Sequence, residues 1–272
     1  MSNNKNKHER KILIPVRDNI PLPIFYPEEE NRKRNKEEEE KYLHEGLKKA
    51  DKNQIIQQFP PVQNQQSDLF FAEKAILKIN NGKKFNGAVA LTLHFVGFFR
   101  YNSDYSYSKI KCVHIFDIYS TRIKQSNKTL LYCRIDNGEG RNSDILNVHI
   151  KSRDAIRFTQ ILNRNYVLST VAYDSYETYD FRTYDPSLFP PFDNGLSPSQ
   201  GYQLTYFCFC SRLNLPYNHE FTRFYHEHIC NFDGFFDFSL IFDASNLKPA
   251  LYAMMFVPYV MAIICHRIKI KN

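Results

Sequence analysis

At 272 residues, 43% hydrophobic and 24% charged, the chain has the composition of a folded protein with room for one or two domains. Its net charge of +7 favours anionic partners such as phospholipid head groups or nucleic acid, but it is spread along the sequence rather than gathered in one block and is a weak signal; no nucleic-acid partner is expected. Six cysteines are too few for a disulfide framework in so long a chain, and the opening MSNNKNKHERK lacks the apolar core of a signal peptide, so a cytoplasmic location with reduced thiols is expected.

The first 27 residues are basic and then punctuated by Pro15, Pro21, Pro23 and Pro27, which predicts an extended arm. Residues 28–52 carry both signs of charge, with Glu37 four before Lys41 and Glu45 four before Lys49, as in a solvated single helix or a linker. A Gln-rich, Pro-containing stretch closes this charged, partly disordered segment, and residues 1–69 are assigned to it.

From Phe70 the pattern changes to short β-rich runs. Strands are predicted at 75–79, 88–93, 95–101, 111–116, 122–124, 129–136 and 145–150. The pairs Asn81-Gly82, Asn86-Gly87 and Asn137-Gly138 and the triplet Asn102-Ser103-Asp104 are expected at turns, where positive φ is needed. Ser152 is placed as the cap of a helix whose Ala155, Phe158, Leu162 and Tyr166 share one face. Seven strands and a closing helix predict an α+β fold with a small barrel over residues 70–170.

The segments GAVALTLHFVGFFRY, KCVHIFDIYSTRI and ILNVHIKSRDAIRFTQIL resemble the pleckstrin-homology region of CARMIL-like leucine-rich-repeat proteins. Phe158 stands where such domains usually carry a tryptophan. The resemblance implies an anion-binding loop between the first two strands, and KINNGKK supplies Lys78, Lys83 and Lys84 for a phosphorylated lipid head group. Phe85 occupies the position of the arginine usual in phosphoinositide-specific loops.

Residues 171–196 alternate aromatic and acidic groups before a proline-rich bend, and are read as a strap between domains. Ser197, Pro198 and Gln200 then form a capping box for a helix reaching about Arg212, with Tyr202, Tyr206, Phe209, Cys210 and Leu213 on its buried face. Pro216 interrupts, and Asn218 caps a second helix with Phe221, Phe224, Tyr225, His228 and Ile229 inward.

This pair concentrates Cys208, Cys210, Cys230, His219, His226 and His228, which invites a metal reading. Helical positions two apart point about 200° from one another, so Cys208 with Cys210, or His226 with His228, cannot share an ion. Only His226 with Cys230 has the four-residue spacing that brings two ligands together. A zinc-binding protein centred on that pair is the alternative; the principal expectation is no metal, no cofactor and cysteines acting as small core residues.

After residue 233, GFFDFSLIF reads as a strand, the stretch from Pro249 as a helix and RIKI as a second strand. A strand, a helix and another strand over about 32 residues suggest one long leucine-rich repeat, against a usual 20 to 29. The uncharged run 250–265 is a competing tail-anchor candidate, short for a span of about 20 residues and interrupted by Pro258.

SPSQGYQLTYFCFCSRLNLPYNHEFTRFYHEHI followed by FFDFSLIF resembles the helical cap and first repeat of CARMIL-like proteins, protist members included. The resemblance implies a cap over 197–233, a first repeat over 234–272 in a truncated array, and partners taken through a leucine-rich-repeat scaffold linked to the actin cytoskeleton. The dimerising and capping-protein-interacting segments of that family have no counterpart, so capping-protein binding is not carried over. No nucleophile with a base, phosphate-cradling glycine motif or informative carboxylate pair is recognisable, and no small-molecule substrate is implied. The expectation is a non-catalytic adaptor, cytoplasmic and peripheral at the plasma membrane.

Overall fold

The computed structural model describes residues 27–62, 68–124, 127–136, 145–170, 180–182, 197–229, 235–237, 247–255 and 262–264. Chain contacts divide it into Met1–Glu38 and Glu39–Asn272. In the first unit, the early turns of α1 (Pro27–His44) carry an exposed pair between Arg34 and Glu38 at 3.3 Å. The second unit contains the rest of α1, a short α2 (Lys49–Ile56) and everything that follows.

Seven strands come next: β1 (Phe71–Ile79), β2 (Phe85–Leu91), β3 (Phe95–Tyr101), β4 (Tyr107–His114), β5 (Ile118–Lys124), β6 (Asn127–Asp136) and β7 (Ile145–Lys151). They pair antiparallel in the order β4-β3-β2-β1-β7-β6-β5. All seven predicted strands are present, and α3 (Ala155–Ser169) follows them with Ala155, Phe158, Leu162 and Tyr166 in the main core. The seven strands and the closing helix are those read from the sequence; their antiparallel order is fixed by the structure.

Three expectations are corrected. The helix cap position is Asp154, and Ser152 Oγ instead accepts the Asp154 amide at 3.4 Å. Asn86 and Gly87 lie inside β2, while positive φ falls on Asn80 at 48° and Tyr105 at 63°. Asn137 and Gly138 lie outside the described residues. The sheet is open rather than a closed barrel, because β4 and an added β8 (Asp180–Arg182) occupy its two edges. That last strand runs parallel to β5 within the stretch assigned to the strap.

Alternation along β1 separates two cores. Phe71, Ala75 and Leu77 face the main core with Val89, Leu91, Val96 and Phe98, while Ala72 lies on the outer face with Ala88, Ala90 and Phe99. Small residues on that outer face leave space for Ile55 of α2 and for Phe59. A Cβ at Gly97 would lie 2.7 Å from the Phe59 ring. Gln54 and Gln58 complete the cover by bonding the β4 backbone: the Tyr107 amide donates to Gln54 Oε1 at 2.9 Å and the Lys109 amide to Gln58 Oε1 at 2.7 Å. The edge strand is thereby closed to a second chain over that stretch. Tyr42 and Leu43, near the end of α1, pack on Ile76. Residues 39–62 therefore belong to the folded unit, and the linker expectation fails for them.

The capping box at Ser197 and Gln200 starts α4 (Pro198–Leu213) as expected, and Asn214 ends it in the left-handed conformation at φ 52°. Asn218 caps α5 (His219–Phe224) by accepting the Glu220 amide at 2.8 Å, and a π-helical turn, Tyr225–Ile229, continues it. Tyr202, Tyr206, Phe209 and Cys210 join Phe221, Phe224 and Tyr225 in a second core. Its aromatic stacking is close, with the Tyr202 and Tyr225 rings 4.1 Å apart. Cys208, two residues from Cys210, points the other way into the main core of the sheet. α4 thus serves two cores.

α6 (Leu247–Met254) adds Leu247, Ala250, Ala253 and Met254 to the second core. β9 (Phe235–Asp237) and β10 (Ala262–Ile264) pair parallel, Phe235 opposite Ala262. A return strand lies inside the apolar run; RIKI, read as a strand from the sequence, lies outside the described residues. Helix α6 and β10 divide that run, so it does not form one tail-anchor helix. No helix among the described residues is long and apolar enough to cross a membrane.

Candidate functional site

The β1–β2 connection is a polar corner of the sheet held in place by its own backbone bonds. Asn80 takes the left-handed conformation that asparagine tolerates. Its amide donates to the Asn147 carbonyl at 2.7 Å, and its Oδ1 accepts the Asn147 amide at 2.9 Å. The Gly82 amide donates to the Ile79 carbonyl at 2.9 Å. The loop is therefore pinned to the β6–β7 end of the sheet while Lys83 and Lys84 project beyond the turn.

These two lysines line an open cavity of about 380 Å³ with Ile79, Gly82, Phe85, Arg100 and Tyr101. Lys78, the third lysine expected there, is not among the lining residues; it sits opposite His149 across the β1–β7 ladder. Burial, and secondly the Lys78 charge, hold the His149 pKa below the usual histidine range.

Arg100, which the sequence reading missed, replaces Lys78 in the cavity. The β2–β3 register puts it opposite Gly87, two positions from Phe85, and its guanidinium lies 4.7 Å from the Phe85 ring centroid. The aromatic ring that interrupts the basic loop motif is thus the platform for an arginine from the next strand. The available signal was the single charge ending FVGFFRY, in the strand that pairs with the one after the loop.

One carboxylate stands beside these cations. Glu39 Oε2 accepts from Lys151 Nζ at 2.9 Å, and Glu39 Oε1 lies 3.9 Å from Lys84 Nζ. A phosphate group entering the cavity would meet two ammonium groups and a guanidinium, the last able to bond it through two N–H groups.

The metal alternative gains nothing from the described residues. His226 is exposed and Cys230 lies outside them. No group of three or more His, Cys, Asp or Glu is placed to hold an ion among the described residues. His94 and His114 instead form a buried polar seam where α4 meets the sheet. The His114 Nδ1 accepts the Phe116 amide at 3.2 Å, so the neutral ring carries its proton on Nε2 and donates to Ser211 Oγ at 3.2 Å. Ser211 in turn donates to the Cys208 carbonyl at 2.8 Å. Burial pushes the Cys210 thiol up to about 12 and the Cys208 thiol further in the same direction, leaving neither as a nucleophile near neutral pH.

No protein-family profile matches the chain, and no curated protein is similar to it. Among solved structures, the chain is similar to Vav1 bound to an allosteric inhibitor, at 8% identity and a TM-score of 0.31, over 40% of this chain and 29% of that one. It is also similar to the DH/PH fragment of PDZ-RhoGEF in complex with human RhoA, at 10% identity and a TM-score of 0.30, over 36% and 28% of the two chains. A third similarity is to the 8S snRNP assembly intermediate, at 12% identity and a TM-score of 0.28, over 47% of this chain and 90% of that one. The chain spans under a third of the length of the first two. Scores this low carry no argument, and the α+β assignment rests on the strand order and the closing helix.

Proposed function

We propose that the chain is a non-catalytic adaptor whose pleckstrin-homology-like sheet faces acidic membrane and whose carboxy-terminal part opens a CARMIL-like leucine-rich-repeat scaffold for protein partners of the actin cytoskeleton. The cavity lined by Lys83, Lys84 and Arg100 carries the first half of this reading. The parallel pairing of Ala262 with Phe235 across α6 supports the second, since a 27-residue step between paired strands falls inside the usual repeat period. On this reading α4 and α5 are the cap of the array, and the protein works in the cytoplasm, peripheral at the plasma membrane, without cofactor or metal.

Co-sedimentation with phosphatidylcholine vesicles, with and without phosphatidylserine, tests the membrane half. The wild type is expected to sediment only with the acidic vesicles and to be released by salt, because exposed charges are screened beyond about 10 Å at 0.1 M. Replacing Lys83, Lys84 and Arg100 together by Gln removes the binding, whereas Lys78→Gln alone leaves most of it. Undiminished sedimentation of the triple variant would remove the cavity from the account.

A further inference from the structure

One of the two ammonium groups that line the cavity, that of Lys84, is already shared with an internal anion. Glu39 is three-quarters buried, its side chain 25% exposed, between Lys151 and Lys84. The end of α1 that carries it is fastened down. Tyr42 Oη donates to the Gly87 carbonyl at 2.8 Å and lies 3.2 Å from Tyr107 Oη. The Lys74 ammonium lies 4.6 Å from the Tyr42 ring and bonds Glu45 at 3.0 Å. The carboxylate is therefore fixed at the rim, while Lys84, 64% exposed on a flexible four-carbon stem, can turn either to it or to the cavity.

We propose that Glu39 is a built-in competitor of the bound phosphate for Lys84, an autoinhibitory contact that raises the density of negative charge needed to hold the protein on a surface. The inference rests on the reading of the cavity as a phosphate-binding site. Two features separate it from a purely structural ion pair. Lys151 alone satisfies Glu39 Oε2 at hydrogen-bond distance, and the Lys84 contact is longer and more exposed. Breaking it therefore leaves the helix anchored, and the lysine is released without unfolding anything.

Exposed ion pairs are worth little, so removing this one is expected to strengthen binding by at most about fivefold. The experiment compares Glu39→Gln, Glu40→Gln, Lys84→Gln and the Glu39→Gln/Lys84→Gln double variant, each checked for an unchanged melting transition. The probes are phosphatidylserine-containing vesicles and soluble inositol hexakisphosphate. Glu40 is exposed at the next helical position, so its change removes the same charge away from the Lys84–Lys151 bridge and measures the bulk electrostatic gain. Glu39→Gln should gain more than Glu40→Gln, and the excess should vanish in the Lys84→Gln background. A response with vesicles alone identifies the anion as a lipid surface, and one with the soluble probe alone as a free phosphate. Equal gains for the two glutamates, or an excess that persists without Lys84, overturns the inference and leaves the cavity reading intact. Failure of the wild type and every variant to bind either probe removes both.

Discussion

His94 and His114 show what burial does to single residues here. His94 is almost fully buried, its Nδ1 without a hydrogen-bond partner among the described residues, and burial alone pushes its pKa down to about 4. His114 is held well below the usual range by burial first, then by His94 and by Arg212. Protonating His114 at Nδ1 would also forfeit the acceptor of the Phe116 amide. The unfolded chain takes up these protons near pH 6.5, and the folded one does not until about pH 4 for His94. Stability is therefore full above the upper value and is lost as pH falls through that window, by about 1.4 kcal/mol per unit of depression. Glu73 opposes this, because burial and then Asp154 raise its pKa, so its share improves on acidification. The urea midpoint should fall between about pH 7 and about pH 5, and fall less in His94→Leu. An equal drop in the variant would clear His94 of the effect. In sequence, neither histidine differed from an ordinary polar residue beside a strand; their burial comes from α4, a hundred residues away.

Elements were the most legible level, and two of the three capping signals act as read, Ser152 being the exception. Ser197 with Gln200 and Asn218 each act at the positions their chemistry implied, because a cap is a local bond over three residues. Asn86-Gly87 misled for the converse reason: this glycine is required by a close approach and not by a turn. A Cβ there would lie 2.0 Å from the Phe99 carbonyl oxygen, beside the bulge between β3 and β4, and the Gly87 carbonyl accepts from Tyr42. Gly87→Ala must push β2 and β3 apart, since the obstructing atom is backbone. A loss of about 3 kcal/mol or more is expected, near the upper end for single changes. Wild-type melting of that variant would refute the close approach. The site lysines show the same limit. Lys83 and Lys84 share a turn, which sequence can show, whereas Arg100 joins them through strand register, which it cannot.

At the scale of the molecule, the unexpected feature is that the amino-terminal charged segment helps to fold the sheet. Ile55, Phe59, Tyr42 and Leu43 cover the outer face of β1 to β4, and burying each such side chain is worth roughly 1.5–3 kcal/mol. Their sum rivals the whole stability of an ordinary domain, about 5–15 kcal/mol. A chain beginning at Asp68, close to the boundary drawn from composition, is expected to aggregate or melt far below one beginning at Glu28. Equal melting of the two would show that the outer face needs no cover. A hint was present in GAVALTLHFVGFF, which is apolar without alternation, as strands buried on both faces are. What covers the second face could not be read from it, because residues 28–52 look solvated when only charge and spacing are counted.

Sequence by itself determined the seven strands, the closing helix, the caps of α4 and α5 and the opposed directions of Cys208 and Cys210, because each depends on neighbours within a few residues. Tertiary structure alone decided that the sheet stays open, that α1 and α2 cover its outer face, and that Arg100 displaces Lys78 from the cavity. It also brought Glu39 against Lys84. Those outcomes depend on strand order and on which surfaces meet, contacts between residues far apart in the chain, and local pattern carries no record of them.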